Sequence, residues 1–147
     1  MNFIMRKHIV LLIAITFSAC SQEPQPINYG KDECSECKMT IMDEKFATEI
    51  ITSKGKVFKF DDLVCMVQFI NSGVVKENET AKKLVINYED KNDFLDVEMA
   101  TFCFNEDLRS PMGGNTAAFQ SNEAAIAFKK DKPGVILKWD EVKINSN

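Results

Sequence analysis

One short segment concentrates the residues of this chain that could do chemistry. Residues 34–39 read CSECKM, so Cys34 and Cys37 are separated by two residues and Met39 follows two positions later. The flanking sequence is charged and turn-like, which predicts exposed thiols rather than core packing. Such a pair could serve thiol-disulfide exchange, a zinc site or a copper(I) site.

The beginning of the chain has the pattern of an export signal over residues 1–19. A basic pair at residues 6–7 precedes an apolar run over residues 9–17, which is too short to cross a bilayer. Small residues then lead to Cys20, as in a lipobox, which predicts Cys20 as the lipidated first residue of the mature protein; an ordinary signal with a stray cysteine is the alternative. Ser21 favours the outer membrane, with the protein facing the periplasm.

The charge and histidine content of the mature chain exclude several classes of function. The signal holds two of the 18 basic residues and none of the 22 acidic ones, so the mature charge is near −6 (16 basic against 22 acidic). Nucleic acid is therefore not expected as a partner. The single histidine, His8, also lies in the signal, which excludes histidine-dependent nucleophiles and histidine-rich catalytic zinc. Binding or reaction in the mature chain therefore has to use sulfur, carboxylate or backbone groups.

The mature chain divides into a tether and one domain. Residues 20–31 are polar and contain prolines, so we expect a lipidated, flexible tether there. Residues 32–147 are long enough for one domain. Apolar periodicity predicts an α+β fold, with strands over residues 39–52, 55–60, 84–88 and 94–104 and a capped helix over residues 61–73.

A weak internal echo suggests two similar lobes. Phe60 ends a predicted strand and Phe69 follows nine residues later on a capped helix, and Phe119 and Phe128 repeat this arrangement. Two similar lobes would explain the echo. Chance convergence of two strand-to-helix corners would explain it equally well.

The remaining sulfur atoms have a simpler interpretation. Cys65, Cys103, Met66 and Met99 lie in apolar segments, where packing is the default role. The acidic pair at residues 61–62 is interpreted as a helix cap with surface charge.

The three chemistries differ in what they require around the cysteine pair. Disulfide exchange prefers a helix N-terminus, whereas a strand is predicted after Cys37. A four-thiolate zinc site would need Cys65 and Cys103, which are 38 residues apart in apolar elements. Copper(I) needs few donors and accepts thioethers. Met39 and Met112 could supply them, since Met112 lies in a Pro-Gly-Gly loop without apolar neighbours.

Several motifs, in order, resemble those of the NosL family of copper-binding lipoproteins associated with nitrous oxide reductase maturation. They are CSECKMTI, FKFDD with CMVQFI, PMGGNTAAF with SNEAAIAF, and VILKWDEV, all behind a lipobox. The resemblance covers residues 34–142. Lys38 stands where the family commonly has glycine.

This resemblance implies a function, an architecture and a set of site residues. It implies a copper(I) metallochaperone, which is a carrier and not an enzyme, on the periplasmic side of the envelope. Such a carrier would deliver copper to an enzyme such as nitrous oxide reductase, or to its assembly machinery. It implies two beta-beta-alpha lobes similar to those of organomercurial lyase. Carried over by motif, Cys34 and Cys37 are thiolate ligands, Met112 and Met39 are thioether ligands, and Cys20 is the lipid anchor. A disulfide oxidoreductase and a zinc-stapled interaction domain remain the alternatives.

Overall fold

The computed structural model describes residues 21–131 and 133–145. These residues form seven strands and three α-helices, with short 3-10 turns at Glu77–Glu79 and Glu106–Leu108. The strands are β1 Thr48–Thr52, β2 Val57–Phe60, β3 Thr80–Asn87, β4 Asp90–Asp96, β5 Thr101–Phe104, β6 Thr116–Phe119 and β7 Val135–Leu137. The helices are α1 Leu63–Asn71, α2 Asn122–Asp131 and α3 Trp139–Asn145.

The seven strands form one mixed sheet in the order β2-β1-β3-β6-β5-β7, with β4 paired to β3. Every pairing is antiparallel except that of β3 with β6, where Asn87 lies opposite Ala118. Each half of the chain contains an antiparallel strand pair followed by a helix: β1 and β2 precede α1, and β5 and β6 precede α2. The predicted α+β class is confirmed as a mixed fold with a seven-stranded sheet.

Helix α1 forms where the sequence predicts it. The Asp62 side chain accepts a hydrogen bond from the backbone N–H of Val64, which satisfies a donor that the first turn would otherwise leave free. The apolar face of the helix is buried, and Phe69 packs against Phe58 and Phe60 of β2. This packing holds the second half of α1 against β2.

Two predicted strands differ from the observed ones. The strand expected over residues 39–52 begins only at Thr48, and the preceding stretch contains a single bridge between Thr40 and Glu33. The strand expected over residues 94–104 is divided into β4 and β5 by a turn at Asp96, whose side chain accepts a hydrogen bond from the backbone of Glu98. An aspartate that bonds its own backbone two residues on favours such a turn.

The segment expected to be a flexible tether makes several contacts with the first hairpin. We call residues 22–32 the N-terminal strap. The backbone N–H of Gln25 donates to Glu49 Oε2 at 3.1 Å. Lys59 Nζ donates to the carbonyl of Pro26 at 2.7 Å and forms an ion pair with Asp32 at 2.7 Å. The strap therefore follows the β1–β2 hairpin toward the cysteine pair.

The predicted signal and the lipidated Cys20 lie outside the described residues. Among the residues that are described, no helix is long and apolar enough to cross a membrane.

Candidate metal centre

Four side chains meet where β2 ends and α1 begins. The Sγ atoms of Cys34, Cys37 and Cys65 and a carboxylate oxygen of Asp61 all lie within 4.8 Å of one another. Cys34, Asp61 and Cys65 are buried, whereas Cys37 is partly exposed. The predicted exposure of both thiols is therefore wrong for Cys34, which is part of the main core cluster. We call these four residues the thiol cluster. It is a compact, mainly sulfur donor set with one side open to solvent.

The loop that carries the cysteine pair is held against β2 by backbone bonds. Ser35 N–H donates to the carbonyl of Lys59 at 2.8 Å, and Lys59 N–H donates to Ser35 Oγ at 3.3 Å. The loop also closes on itself, since Cys34 N–H donates to the carbonyl of Met39 at 2.8 Å. Both cysteines are therefore fixed beside the strand that leads into Asp61.

Lys38 closes this loop in a backbone conformation that favours glycine. Its φ angle is +65°, in the left-handed region, which costs a non-glycine residue about 1 kcal/mol. Its Nζ donates to the carbonyl of Ser35 at 2.6 Å. The turn is thus formed by a lysine whose side chain bonds back to the same loop.

Cys34 is the thiol whose environment most favours the thiolate. The Cys65 thiol donates to Cys34 Sγ and, together with the backbone N–H groups of Cys37, Asp61 and Glu36, lowers the pKa of Cys34 to about 6 against the opposing effect of burial. Several N–H groups directed at one atom form a site for negative charge. Cys34 is therefore prepared to bind a metal as thiolate.

The other two thiols hold their protons more tightly. The pKa of Cys65 is raised because its thiol donates to Cys34, because it is buried, and because Cys34 and Asp61 carry like charges nearby. Burial raises the pKa of Cys37, whose thiol lies 3.7 Å from each carboxylate oxygen of Asp61. Without metal, Cys37 and Cys65 thus keep their protons beside the Cys34 thiolate. Metal binding would release these protons.

Sequence reasoning did not identify Cys65 or Asp61 as members of the site. Cys65 was interpreted as core packing, and it is buried, but its thiol faces Cys34. Asp61 was interpreted as cap or surface charge, whereas the cap is Asp62. The available signal was position: Cys65 is the third residue of a helix that begins directly after an acidic pair, where a thiol lies close to the helix N-terminus.

Cys103 lies apart from the thiol cluster. It is buried in a second core cluster with Ala117, Phe119 and Ala125. The arrangement of four cysteines around one zinc ion is therefore not formed. Structural packing, as the sequence predicted for Cys103, agrees with these surroundings.

The two candidate thioethers occupy different places. Met112 is partly buried and packs against the core cluster that contains Cys34 and Cys65. Its backbone N–H donates to Asp62 Oδ2 at 3.0 Å, which places its loop beside the first turn of α1. Met39 is 49% exposed, although its backbone N–H bonds to Cys37 Sγ. Met112 thus packs against the core in which two of the thiols are buried, whereas Met39 is exposed.

The fold and the cluster define a small α+β protein with a thiol-rich site of the kind that holds a soft metal. The chain belongs to the NosL family, whose sequence profile matches residues 26–146. The fold is similar to that of the copper chaperone NosL from Shewanella denitrificans, known from a crystal structure. The TM-score is 0.69 at 20% sequence identity, over 82% of this chain and 96% of that one. A search of curated proteins found no match.

Proposed function

We propose that this protein is a membrane-anchored copper(I) metallochaperone without catalytic activity. The observation that carries the proposal is the thiol cluster, in which three sulfur atoms and one carboxylate lie within 4.8 Å in a chain whose mature part contains no histidine. Membership of the NosL family and the fold shared with a copper chaperone support it.

The donor set favours copper(I) over the other uses of the cysteine pair. Thiolates and thioethers are soft ligands, which copper(I) prefers. Cys34 and Cys37 lie in a turn rather than at a helix N-terminus, which weakens the disulfide-exchange alternative. Asp61 could complete a three-sulfur, one-oxygen zinc site, so zinc is the competitor against which copper has to be tested.

The ligands we propose are Cys34, Cys37 and Met112, with Met39 as a further thioether. We also propose Cys65, which its place in the thiol cluster supports. Two of the thiols are buried, whereas Cys37 is partly exposed. An acceptor could therefore approach from the side of Cys37 and replace the ligands one at a time. A carrier needs such an open side, since a fully enclosed ion leaves only by spontaneous dissociation.

We further propose where the carrier works and what it supplies. The sequence supports lipidation of Cys20 and placement at the outer membrane facing the periplasm. Family membership supports nitrous oxide reductase, or its assembly machinery, as the recipient. The strand pair and helix in each half support two related lobes with an organomercurial lyase-like arrangement.

The rate of copper removal tests carriage directly. The protein loaded with one copper(I) is mixed with increasing concentrations of a chromogenic copper(I) chelator in a stopped-flow instrument. A carrier should lose copper at a rate that rises with chelator concentration, because the chelator displaces ligands within a shared complex. A slow rate independent of chelator concentration would identify an enclosed structural ion and contradict the proposal.

A further inference from the structure

Asp62 makes more hydrogen bonds than a helix cap requires. Its Oδ1 accepts the capping bond from Val64 N–H at 3.0 Å. Its Oδ2 accepts from Ser110 Oγ at 2.5 Å and from Met112 N–H at 3.0 Å. One carboxylate, 2% exposed, thus joins the first turn of α1 to a loop 50 residues further along the chain.

The loop that Asp62 holds is also closed by its own bonds. Ser110 Oγ accepts from Asn115 N–H at 2.7 Å, and Asn115 Oδ1 accepts from Ser110 N–H at 3.0 Å. The Ser110 hydroxyl therefore accepts within the loop and donates to Asp62. We call residues 110–115 the methionine loop. Ser110 and Asn115 at the two ends of the loop are hydrogen-bonded to each other. The bond from Ser110 to Asp62 therefore also restrains Met112, which lies between them.

The methionine loop lies very close to helix α1. A side chain at Gly114 would place its Cβ 2.6 Å from Val64 Cγ2 and 2.8 Å from Asp62 Oδ1. Contacts this short are not tolerated, so the absence of a side chain allows the approach. The loop is thus docked by shape as well as by the hydrogen bonds to Asp62.

Asp62 stands between the two halves of the proposed site. It follows Asp61 directly and precedes Cys65 by three residues, and both belong to the thiol cluster. On its other side it bonds the backbone of Met112, which packs against the core cluster containing Cys34 and Cys65. A displacement of the loop would move Met112 relative to the thiols.

We propose that Asp62 is a positioning residue that holds the Met112 thioether at the thiol cluster without binding copper itself. This inference rests on the proposed function and extends it. A single buried carboxylate brings thiols from the first half of the chain and a thioether from the second half to one site. The cap of α1 and the thioether ligand therefore depend on the same side chain.

The substitution Asp62→Asn separates the two roles of this residue. Asparagine is as good an N-cap as aspartate, but it has only one acceptor oxygen. With that oxygen on Val64 N–H, its NH₂ group faces the backbone N–H of Met112, which can only donate, so that bond is lost. The Ser110 hydroxyl can no longer donate to a carboxylate and could only accept from the NH₂ group. Ser110→Ala is a second variant, which removes the hydroxyl without changing charge. Circular dichroism and urea unfolding establish that each variant is folded.

A double-mutant cycle with Met112→Leu gives the decisive readout. Copper(I) affinity is measured by competition for the parent, D62N, S110A, M112L and the two double variants. We expect D62N and S110A to weaken copper(I) binding about tenfold in the parent background and less than about twofold when Met112 is leucine. Copper K-edge absorption should show the same loss of a sulfur neighbour in D62N and in M112L.

Three outcomes would overturn the inference while leaving the proposed copper(I) carrier function standing. Equal losses in the parent and M112L backgrounds would mean that Asp62 acts through charge rather than through Met112. No loss in D62N, or none in M112L, would remove the positioning role or the thioether itself. A parent that binds no copper(I) would overturn the proposed function together with this inference.

Discussion

Cys65 and Cys34 act as a pair at the scale of single residues. The Cys65 thiol donates to Cys34 Sγ, which helps to lower the pKa of Cys34 to about 6. The same bond raises the pKa of Cys65. A packing role for Cys65 does not explain a thiol directed at another thiol, so we expect Cys65 to contribute to metal retention.

Replacing Cys65 with serine should weaken copper(I) binding about tenfold or more, equivalent to about 1.4 kcal/mol or more. The change removes one sulfur donor from the thiol cluster while nearly preserving side-chain volume. Cys103→Ser is the matched control, because Cys103 is equally buried but lies in the second core cluster. Affinities are compared by chelator competition. Equal losses in both variants would assign the effect to core polarity rather than to ligation.

Met112 has its own test at this scale. Met112→Leu retains volume and apolarity but removes the sulfur, so ligation predicts unchanged folding with copper(I) binding weakened about tenfold or more. Met99→Leu is the control, since Met99 is 79% exposed in the turn between β4 and β5, so the packing role predicted for it is wrong. A parent-like affinity for Met112→Leu, together with a loss in Cys37→Ser, would leave the site as thiolate alone.

The site lies where the end of β2, the start of α1 and the cysteine loop meet. The sequence could predict only those parts that depend on local signals. The start of α1 was predictable because a cap and apolar periodicity are local signals. Docking of the cysteine loop on Lys59 was not predictable, because those bonds join residues 24 apart. The strand predicted from Met39 was wrong as far as residue 47, because alternating residues there form a loop packed on the sheet rather than another strand.

The buried carboxyl of Glu49 makes strand β1 sensitive to pH. Glu49 is 0% exposed, and burial raises its pKa from the ordinary 4.5 to about 7, against the opposing effects of Gln25 N–H and the Lys59 charge. Between pH 4.5 and 7 the folded chain keeps a proton that the unfolded chain has lost. Stability therefore falls as pH rises through this interval and remains lower above it.

Glu49→Gln should remove this dependence. Glutamine is neutral at every pH, so we expect the variant to be more stable than the parent at pH 8, by an amount on the order of 3 kcal/mol, and similar to it near pH 4.5. Urea unfolding across this pH range measures the difference. Glu89→Gln, at an exposed position after β3, should leave the pH profile unchanged. Identical slopes for Glu49→Gln and the parent would exclude Glu49 as the source.

At the scale of the whole molecule, the beginning of the strap and the thiol cluster lie at opposite ends of the first hairpin. Gln22 Nε2 donates to the carbonyl of Ser53, in the turn between β1 and β2. The strap then passes Glu49 and Lys59, and the chain reaches Cys34 beside the end of β2. The strap therefore begins near the turn between β1 and β2 and ends beside the thiol cluster.

Anchoring and copper binding should therefore be separable. Cys20→Ala should produce an unlipidated or mislocalised precursor, whereas a soluble chain beginning at Ser21, which keeps the strap, should bind copper(I) like the lipidated protein. Membrane fractionation and chelator competition measure the two properties. Weakened copper binding in the soluble chain would contradict this separation, and recovery of the parent only in the inner membrane would contradict the outer-membrane placement.

The α+β class followed from the sequence, but the arrangement of the sheet did not. Local periodicity gave a helix and several strands, whereas the pairing of β3 with β6 joins Asn87 to Ala118 and depends on contacts distant in sequence. The approach of Cys65 to Cys34 also depends on contacts distant in sequence, because the loop that carries the cysteine pair docks beside α1. Chemistry was therefore predicted best where the donors are close in sequence.

The central claim is that the thiol cluster binds copper(I) in preference to zinc. It is tested most directly by titrating the reduced mature protein with copper(I) and zinc(II) in competition, while counting bound metal and unreacted thiols. One copper(I) should bind per chain and be retained when zinc is present in excess, because three of the four donors are sulfur and none is histidine. Zinc binding of equal or greater strength, with the thiols of Cys34, Cys37 and Cys65 consumed, would contradict it.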